Sequence, residues 1–481
     1  MVATKRRRTV VVSVLAVPDG STTPVTSLGM RAWGLAQGLL AHGQDVQVAV
    51  LSDDPRPPFT NEGLLITTHH HHPDWSQVLQ GVDVVIVVFC SDAAHEITGT
   101  VAADVTVVLD LLAPWYVETA ARRSTDVRHE YGPYLDGVRR WNEVLTRGDV
   151  FLCAGQAQQH YYWGVLSALG GVNPLTYDHL HILQVPFGIS PEPPPATDTG
   201  NPYRELGVPQ GAFVLLWFGA IYPWFDIDPL LAAVQELTAQ ARDVHFVVVG
   251  GRNPWVPDDI YAGGYARARQ VLAPLTGSQV HFVDWVPYDT RTQWYAHADI
   301  TVSLNTEGAE NIFSWRTRLA DLLAAEQPVI TNGGDPLGEL VLNAGGAFRT
   351  KNSSRALADL IKRLRAEPSL IEDAGRALGA LRPRFSWAET THELAALISV
   401  VEPLYSLEAT FVREHHLQRR FSRPSEPERL IERGTHVMRR VREEGLSGVA
   451  AVLWDRAAPR LLRLGEQWRQ RPQPSGERPA S

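Results

Sequence analysis

The chain has 481 residues, more than one ordinary hydrophobic core accommodates, so two domains with an appendage are expected. Apolar residues make up 44% and charged residues 20%, an ordinary globular balance, and the two cysteines, Cys90 and Cys153, fit no metal or redox spacing and argue against a disulfide-stapled secreted scaffold. The net charge of −9 is uneven: residues 411–481 hold fifteen Arg against nine Asp or Glu, and an acidic body with a basic tail is not the footprint of a nucleic-acid binder.

The start, MVATKRRRTVVVSVLAV, has a basic end but only a short apolar run. It reads as the first strand of a buried sheet rather than a signal peptide. No stretch approaches the roughly 20 apolar residues that span a bilayer, so a cytoplasmic location is expected. Strands and helices then alternate. TVVVSVLAV (9–17) is a strand, 28–43 a helix closed by Gly43, and strands follow at 45–51, 82–89, 104–111, 149–155 and 181–188. Valine-rich runs separated by helices signify a parallel sheet covered on both faces. A linker rich in Pro, Gly and Thr occupies 189–203. The alternation restarts with strand 212–219, helix 228–241, strand 244–251, helix 261–273, strands 280–285 and 298–304, helix 314–326 and strand 328–332. The expected fold class is α/β, with Rossmann-like units at 1–188 and 204–405 and ligands bound at the C-terminal ends of the strands. Residues 406–481 read as a helical, Arg-rich tail with a disordered end. That tail suits packing on the body, mobility, or weak contact with an anionic membrane surface.

Chemistry concentrates in SLNTEGAENIFSWRTRLADLLAAEQPVITNGGDPLGELV (303–341). Ser314 is a plausible N-cap, and a helix N-terminus offers unpaired N–H groups to a phosphate. Arg316 and Arg318 add two guanidinium forks of the kind that grip a diphosphate, unless they lie on a solvated helix face. Asp321, two turns along, has the chemistry to accept hydrogen bonds from vicinal hydroxyls, and Glu310, in the loop before the helix, from hydroxyls at the ligand's other end. Trp224 and Phe225 suit either stacking on a base or burial against the sheet edge. The run His69–His72 reads as a solvated loop rather than a metal site, since adjacent histidines cannot all face one ion.

The 303–341 stretch resembles the donor-site region of retaining GT-B glycosyltransferases of family 4. More narrowly, it is similar to a bacterial polysaccharide-type branch with the phrase ETRxSFRTRxLDxxxAGLPVVTTxGDxLxELV. Glu310, Ser314, Arg316, Thr317, Arg318, Asp321, Pro328, Gly334, Asp335 and Glu339 fall on matching positions. LWFGAIYPWFDIDPL (216–230), VLDLLAPWYVE (108–118) and residues 148–174 resemble other segments of that branch, so the likeness runs over about 400 residues. It implies a nucleoside diphosphate-sugar held by the second domain, a saccharide, lipid-linked or natural-product acceptor held by the first, and transfer with retained anomeric configuration and no obligatory metal. By the resemblance, Glu310 contacts donor sugar hydroxyls, Asp321 takes the ribose, and Arg316, Arg318, Ser314, Thr317, Gly219 and Trp224 surround the diphosphate and nucleotide. Gly29 and Arg31 belong to the first-domain loop near the phosphates, and Asp110 faces the cleft to orient or deprotonate the acceptor. It also implies a cytoplasmic enzyme, peripheral at the inner face of the membrane. Two departures stand out. Glu310 and Asp321 are eleven apart where the family has two glutamates eight apart, and Glu307 competes with Glu310. The loop GAIYPWFD (219–226) lacks the family's Arg and Lys, so neutralising the phosphates falls to Arg316, Arg318 or Arg252. The alternatives are an idle scaffold of the same fold, a nucleotide-sugar epimerase, or an oxidoreductase, the last lacking its G-x-G-x-x-G turn.

Overall fold

The computed structural model describes residues 6–19, 25–89, 91–121, 127–190, 200–254 and 263–404. The tail expected at 406–481, the middle of the first linker and Cys90 lie outside them. The first sheet has eight strands: β1 (Arg8–Ser13), β2 (Asp45–Leu51), β3 (Phe59–Asn61), β4 (Leu64–His69), β5 (Val84–Val88), β6 (Thr106–Asp110), β7 (Val150–Cys153) and β8 (His181–Gln184). Their order is β3-β4-β2-β1-β5-β6-β7-β8, parallel except for the β3-β4 hairpin. The second sheet comprises β9 (Phe213–Phe218), β10 (Val244–Val249), β11 (Val280–Val283), β12 (Ile300–Ser303), β13 (Val329–Thr331) and β14 (Ala347–Arg349), in the order β11-β10-β9-β12-β13-β14 and all parallel. In each sheet the order reverses beside the first strand, between β1 and β5 and between β9 and β12. Such switch points open a crevice at the strands' C-terminal ends.

The expected parallel strands are all present because both faces of each sheet are covered; every residue of β5, β10 and β12 is buried. The hairpin β3-β4 and edge strand β14 were not expected; β3 and β14 have three residues each, too few to carry a periodic signal. His69 ends β4, and His70–His72 are exposed, as a solvated loop requires.

The chain then returns to the first domain. Leu394, Ala395, Ile398 and Val401 join the core cluster that holds Val11, Leu35 and Ile86, and the helix Trp387–Thr390 packs on the helix Ser27–Ala41. The last residues of the expected second domain thus complete the first, and the chain crosses between the domains twice. Gly34 and Gly188 make room for Trp387, since a β-carbon on either would fall 1.9 Å or 2.4 Å from its indole. No helix among the described residues is long and apolar enough to cross a membrane.

Candidate active site

The second-domain crevice is built where β9 and β12 end. After β9 the chain turns at Gly219, whose φ of +96° suits glycine. The following loop doubles back until Phe225 bridges Asn305 beyond β12. After β12 comes a short helix, Ala309–Phe313, and then a second, Thr317–Ala324. The helix expected over 314–326 therefore starts three residues later, at Thr317, and a separate short helix precedes it. Ser314 closes the first in an extended conformation (ψ 142°), and Arg316 (ψ 92°) stands at the N-cap of the second.

The break follows from a buried carboxylate. Glu310 is 7% exposed and lies in the first helix rather than in a loop. The Ser314 hydroxyl donates to its Oε1 at 2.6 Å, and Arg316 forks onto both oxygens at 2.8 and 2.7 Å. Arg316 also donates to the Asn311 side chain at 3.1 Å, and Asn311 in turn ties the helix to the Gly333 carbonyl at 3.0 Å. Ser314 therefore does not act as an N-cap. Arg316, 5% exposed, already has its anion, and Glu310 its cation. Glu307, by contrast, is exposed, and beside it Gly308 (φ +143°) faces open space.

Arg318 forms no ion pair among the described residues; its nearest influence from an anion is that of Asp321, one turn on. Its guanidinium lies over Phe225 at 4.0 Å and Trp217 at 4.7 Å, and its Nη2 donates to the Ala220 carbonyl at 2.6 Å. Nη1 is buried with no hydrogen-bond partner among the described residues. Burial, with Arg316 beside it, pulls Arg318 down to about 9 from an ordinary 12.5. Thr317, partly buried, opens the helix whose first N–H groups adjoin this site. A buried cation with no ion pair among the described residues, at a switch point and a helix N-terminus, is the electrostatic complement of a phosphate group.

Asp321, one turn further, pairs with Arg291 at 3.0 Å, and both are partly exposed. Burial raises its carboxyl above the usual 3.8, while Arg291 and then Arg318 lower it. Arg291 was not anticipated. It lies 30 residues before Asp321 in the chain, on the helix Arg291–Ala296, and no local pattern joins the two.

Four expected site residues are structural. Asp110 does not face the cleft: it forms a two-pronged pair with Arg31 at 2.9 Å and 2.9 Å, and neither side chain has any exposed surface. Arg31 gives its remaining N–H groups to the Val185 and Pro186 carbonyls. The pair fastens the helix Ser27–Ala41 to the ends of β6 and β8, so neither residue reaches a ligand. Trp224 is 7% exposed, inside the second-domain core against Tyr222, so burial won over stacking. Gly29 does allow a close approach, but to this chain: a β-carbon there would fall 1.8 Å from the Ala16 carbonyl oxygen.

Across the cleft, the helix Ala309–Phe313 packs against first-domain helices Trp115–Ala121 and Gln156–Ala168. Phe313 meets Tyr161 at 4.9 Å, Trp315 lies against Gly155, and Arg291 Nη1 reaches the Met30 sulfur at 3.1 Å. The carboxylates and arginines of the second domain therefore face groups of the first.

Residues 212–367 match the family model described as Glycosyl transferases group 1. A search of the curated proteins returns no match. Among solved structures, HepE from Anabaena in complex with UDP superposes with a TM-score of 0.55 at 15% identity, over 82% of this chain and 99% of that one. Sucrose-phosphate synthase from Thermosynechococcus elongatus does so with 0.57 at 14% identity, over 85% and 100%. WaaG, a glycosyltransferase involved in lipopolysaccharide biosynthesis, gives 0.55 at 14%, over 81% and 99%. Two Rossmann-like domains that share the fold of these proteins, the second matching the group 1 model, make the chain a GT-B glycosyltransferase.

Proposed function

We propose that this glycosyltransferase is a retaining, family 4 enzyme of a bacterial polysaccharide-type branch, moving a sugar from a nucleoside diphosphate-sugar to a saccharide, lipid-linked or natural-product acceptor. The observation that carries the donor assignment is Arg318, a guanidinium at the β9/β12 switch point with no ion pair among the described residues and its Nη1 without a hydrogen-bond partner there. Charge on the departing diphosphate grows as the glycosidic bond breaks, so a fixed cation there stabilises the transition state more than the ground state. UDP is the first candidate nucleotide, because the similar HepE structures hold UDP and UDP-glucose.

In this reading Arg318 and the N–H groups at Thr317 and Arg318 receive the diphosphate. Asp321 accepts the ribose hydroxyls. Glu307, rather than the ion-paired Glu310, is the carboxylate available to the donor sugar, and Glu310 with Arg316 and Ser314 fixes the backbone that presents it. The first domain supplies the acceptor side of the cleft. No obligatory metal or cofactor enters the proposal, and neither does nucleic acid. The reading also takes the enzyme to work in the cytoplasm, peripheral at the inner face of the membrane, on the strength of the sequence resemblance.

The test is a thermal-shift panel of UDP, GDP, dTDP and ADP on the full chain, with Arg318→Met as control, followed by anomeric analysis of the product. A nucleoside diphosphate should stabilise the wild type and not the variant. Absence of any shift, or an equal shift in both, removes the donor assignment, and an inverted product removes retention.

A further inference from the structure

We infer that Arg291 is a positioning residue, holding the Asp321 carboxylate in place as acceptor for the hydroxyls of the bound nucleotide's ribose. The inference rests on the donor-site reading above. Arg291 is itself held on three sides. Its guanidinium stacks on the Tyr288 ring at 3.9 Å, its Nη2 donates to the Tyr288 hydroxyl at 3.0 Å, and its Nη1 meets the Met30 sulfur of the first domain at 3.1 Å. From that fixed position Nη1 reaches Oδ1 of Asp321 at 3.0 Å. The ion pair is made to Oδ1, no hydrogen bond to Oδ2 is found among the described residues, and the Asp321 side chain keeps 19% of its surface exposed. A carboxylate with one oxygen anchored and the other open suits a vicinal diol, which offers O–H donors.

The charges around Asp321 come from several elements. Arg291 and Arg318 favour its ionised form, Tyr288 and Tyr295 lie close by, and Asp289 and Glu62 act on Arg291 and Tyr288. Burial disfavours the ionised form, and Arg291 is the largest force against it. Losing Arg291 therefore raises the pH at which Asp321 takes up a proton and stops accepting from both hydroxyls. A mere bracket between the domains would leave that pH unchanged, because removing it alters only how readily the domains come together.

The experiment measures the affinity of the full chain for UDP by calorimetry between about pH 5.5 and 8.5, a span bracketing a raised carboxylate and ordinary working conditions. Arg291→Met should bind about tenfold more weakly at pH 7, as for one lost charge-assisted contact, and its affinity should fall on acidification from a higher pH than the wild type's. Arg291→Lys, which keeps the charge, should recover most of the affinity and the wild-type profile. In an Asp321→Asn background, Arg291→Met should cost nothing further. A variant whose profile runs parallel to the wild type's, or whose loss persists fully in Asp321→Asn, overturns the inference. If the wild type binds none of UDP, GDP, dTDP and ADP, the donor-site reading falls first and takes this inference with it.

Discussion

Replacing Arg318 with Met separates binding from stability, because the same burial that makes the charge costly makes it useful. An arginine held at about 9 instead of 12.5 carries a cost of about 5 kcal/mol for staying charged in the empty site. Contacts over Phe225 and Trp217 return about 1 to 2 kcal/mol each. The charged hydrogen bond to the Ala220 carbonyl returns about 2 more. These contributions nearly cancel, so Arg318→Met should change the stability of the unliganded protein by no more than about 1 kcal/mol. A bound diphosphate would supply the missing anion, and its loss should weaken UDP binding by about 3 kcal/mol, more than a hundredfold. Urea unfolding of both proteins, with and without UDP, measures both quantities. A variant destabilised by more than about 3 kcal/mol that still binds UDP normally would make Arg318 a structural residue, and the reasoning would fail.

Glu310→Ala leaves Arg316 buried without its carboxylate and should lower stability by about 3 to 5 kcal/mol in urea unfolding, whereas an unchanged midpoint would mean the pair contributes nothing. Trp387→Ala empties the space between Gly34, Gly188 and Phe187 and should cost about 3 to 5 kcal/mol by the same measurement. The stacked pair His245 and His281 is held below the ordinary 6.5, chiefly by burial, with Asp243 acting weakly the other way on His245. Below that pH the unfolded chain binds protons that the folded chain resists, so the pair's contribution to stability falls on acidification from about pH 7 to 5. Asp335, pushed up to about 6 by burial, acts in the opposite sense over about pH 4 to 6. The histidine effect should therefore be read as the stability difference between wild type and His245→Leu/His281→Leu, which should shift in the variant's favour as pH falls; a constant difference would show that the pair does not titrate in this range.

How far the sequence could be read depended on whether the forces acting on a residue were local. Buried parallel strands such as Val84–Val88 announce themselves, since every position must be apolar to face covering helices on both sides. Capping preferences predict a helix start at Ser314 because they describe a residue competing for its own helix's N–H groups. Here the hydroxyl goes instead to Glu310, four residues back, whose burial outweighs any cap. Asp110 shows the same limit over a longer range. An aspartate ending a strand looks poised over a crevice, but its partner Arg31 lies 79 residues away, and only the fold brings the two together. Arg291 and Asp321, 30 residues apart, are likewise joined only by the fold.

The loop after β9 shows how a departure in sequence can leave the electrostatics intact. Residues 219–226 carry no basic side chain, where the resembling family has Arg and Lys. Yet a guanidinium is there: Arg318, rooted in the helix after β12, reaches over Phe225 and Trp217 to the Ala220 carbonyl. The two arginines of the motif are not equivalent. Arg316 meets Glu310 within its own segment and is neutralised, while Arg318, two residues on and turned toward the other strand's loop, keeps its charge. Position relative to the nearest carboxylate, and not the count of basic residues, decides which cation is left to meet a ligand. By that criterion the loop's lost charges are replaced from the opposite side of the switch point, at the place where a diphosphate would need them.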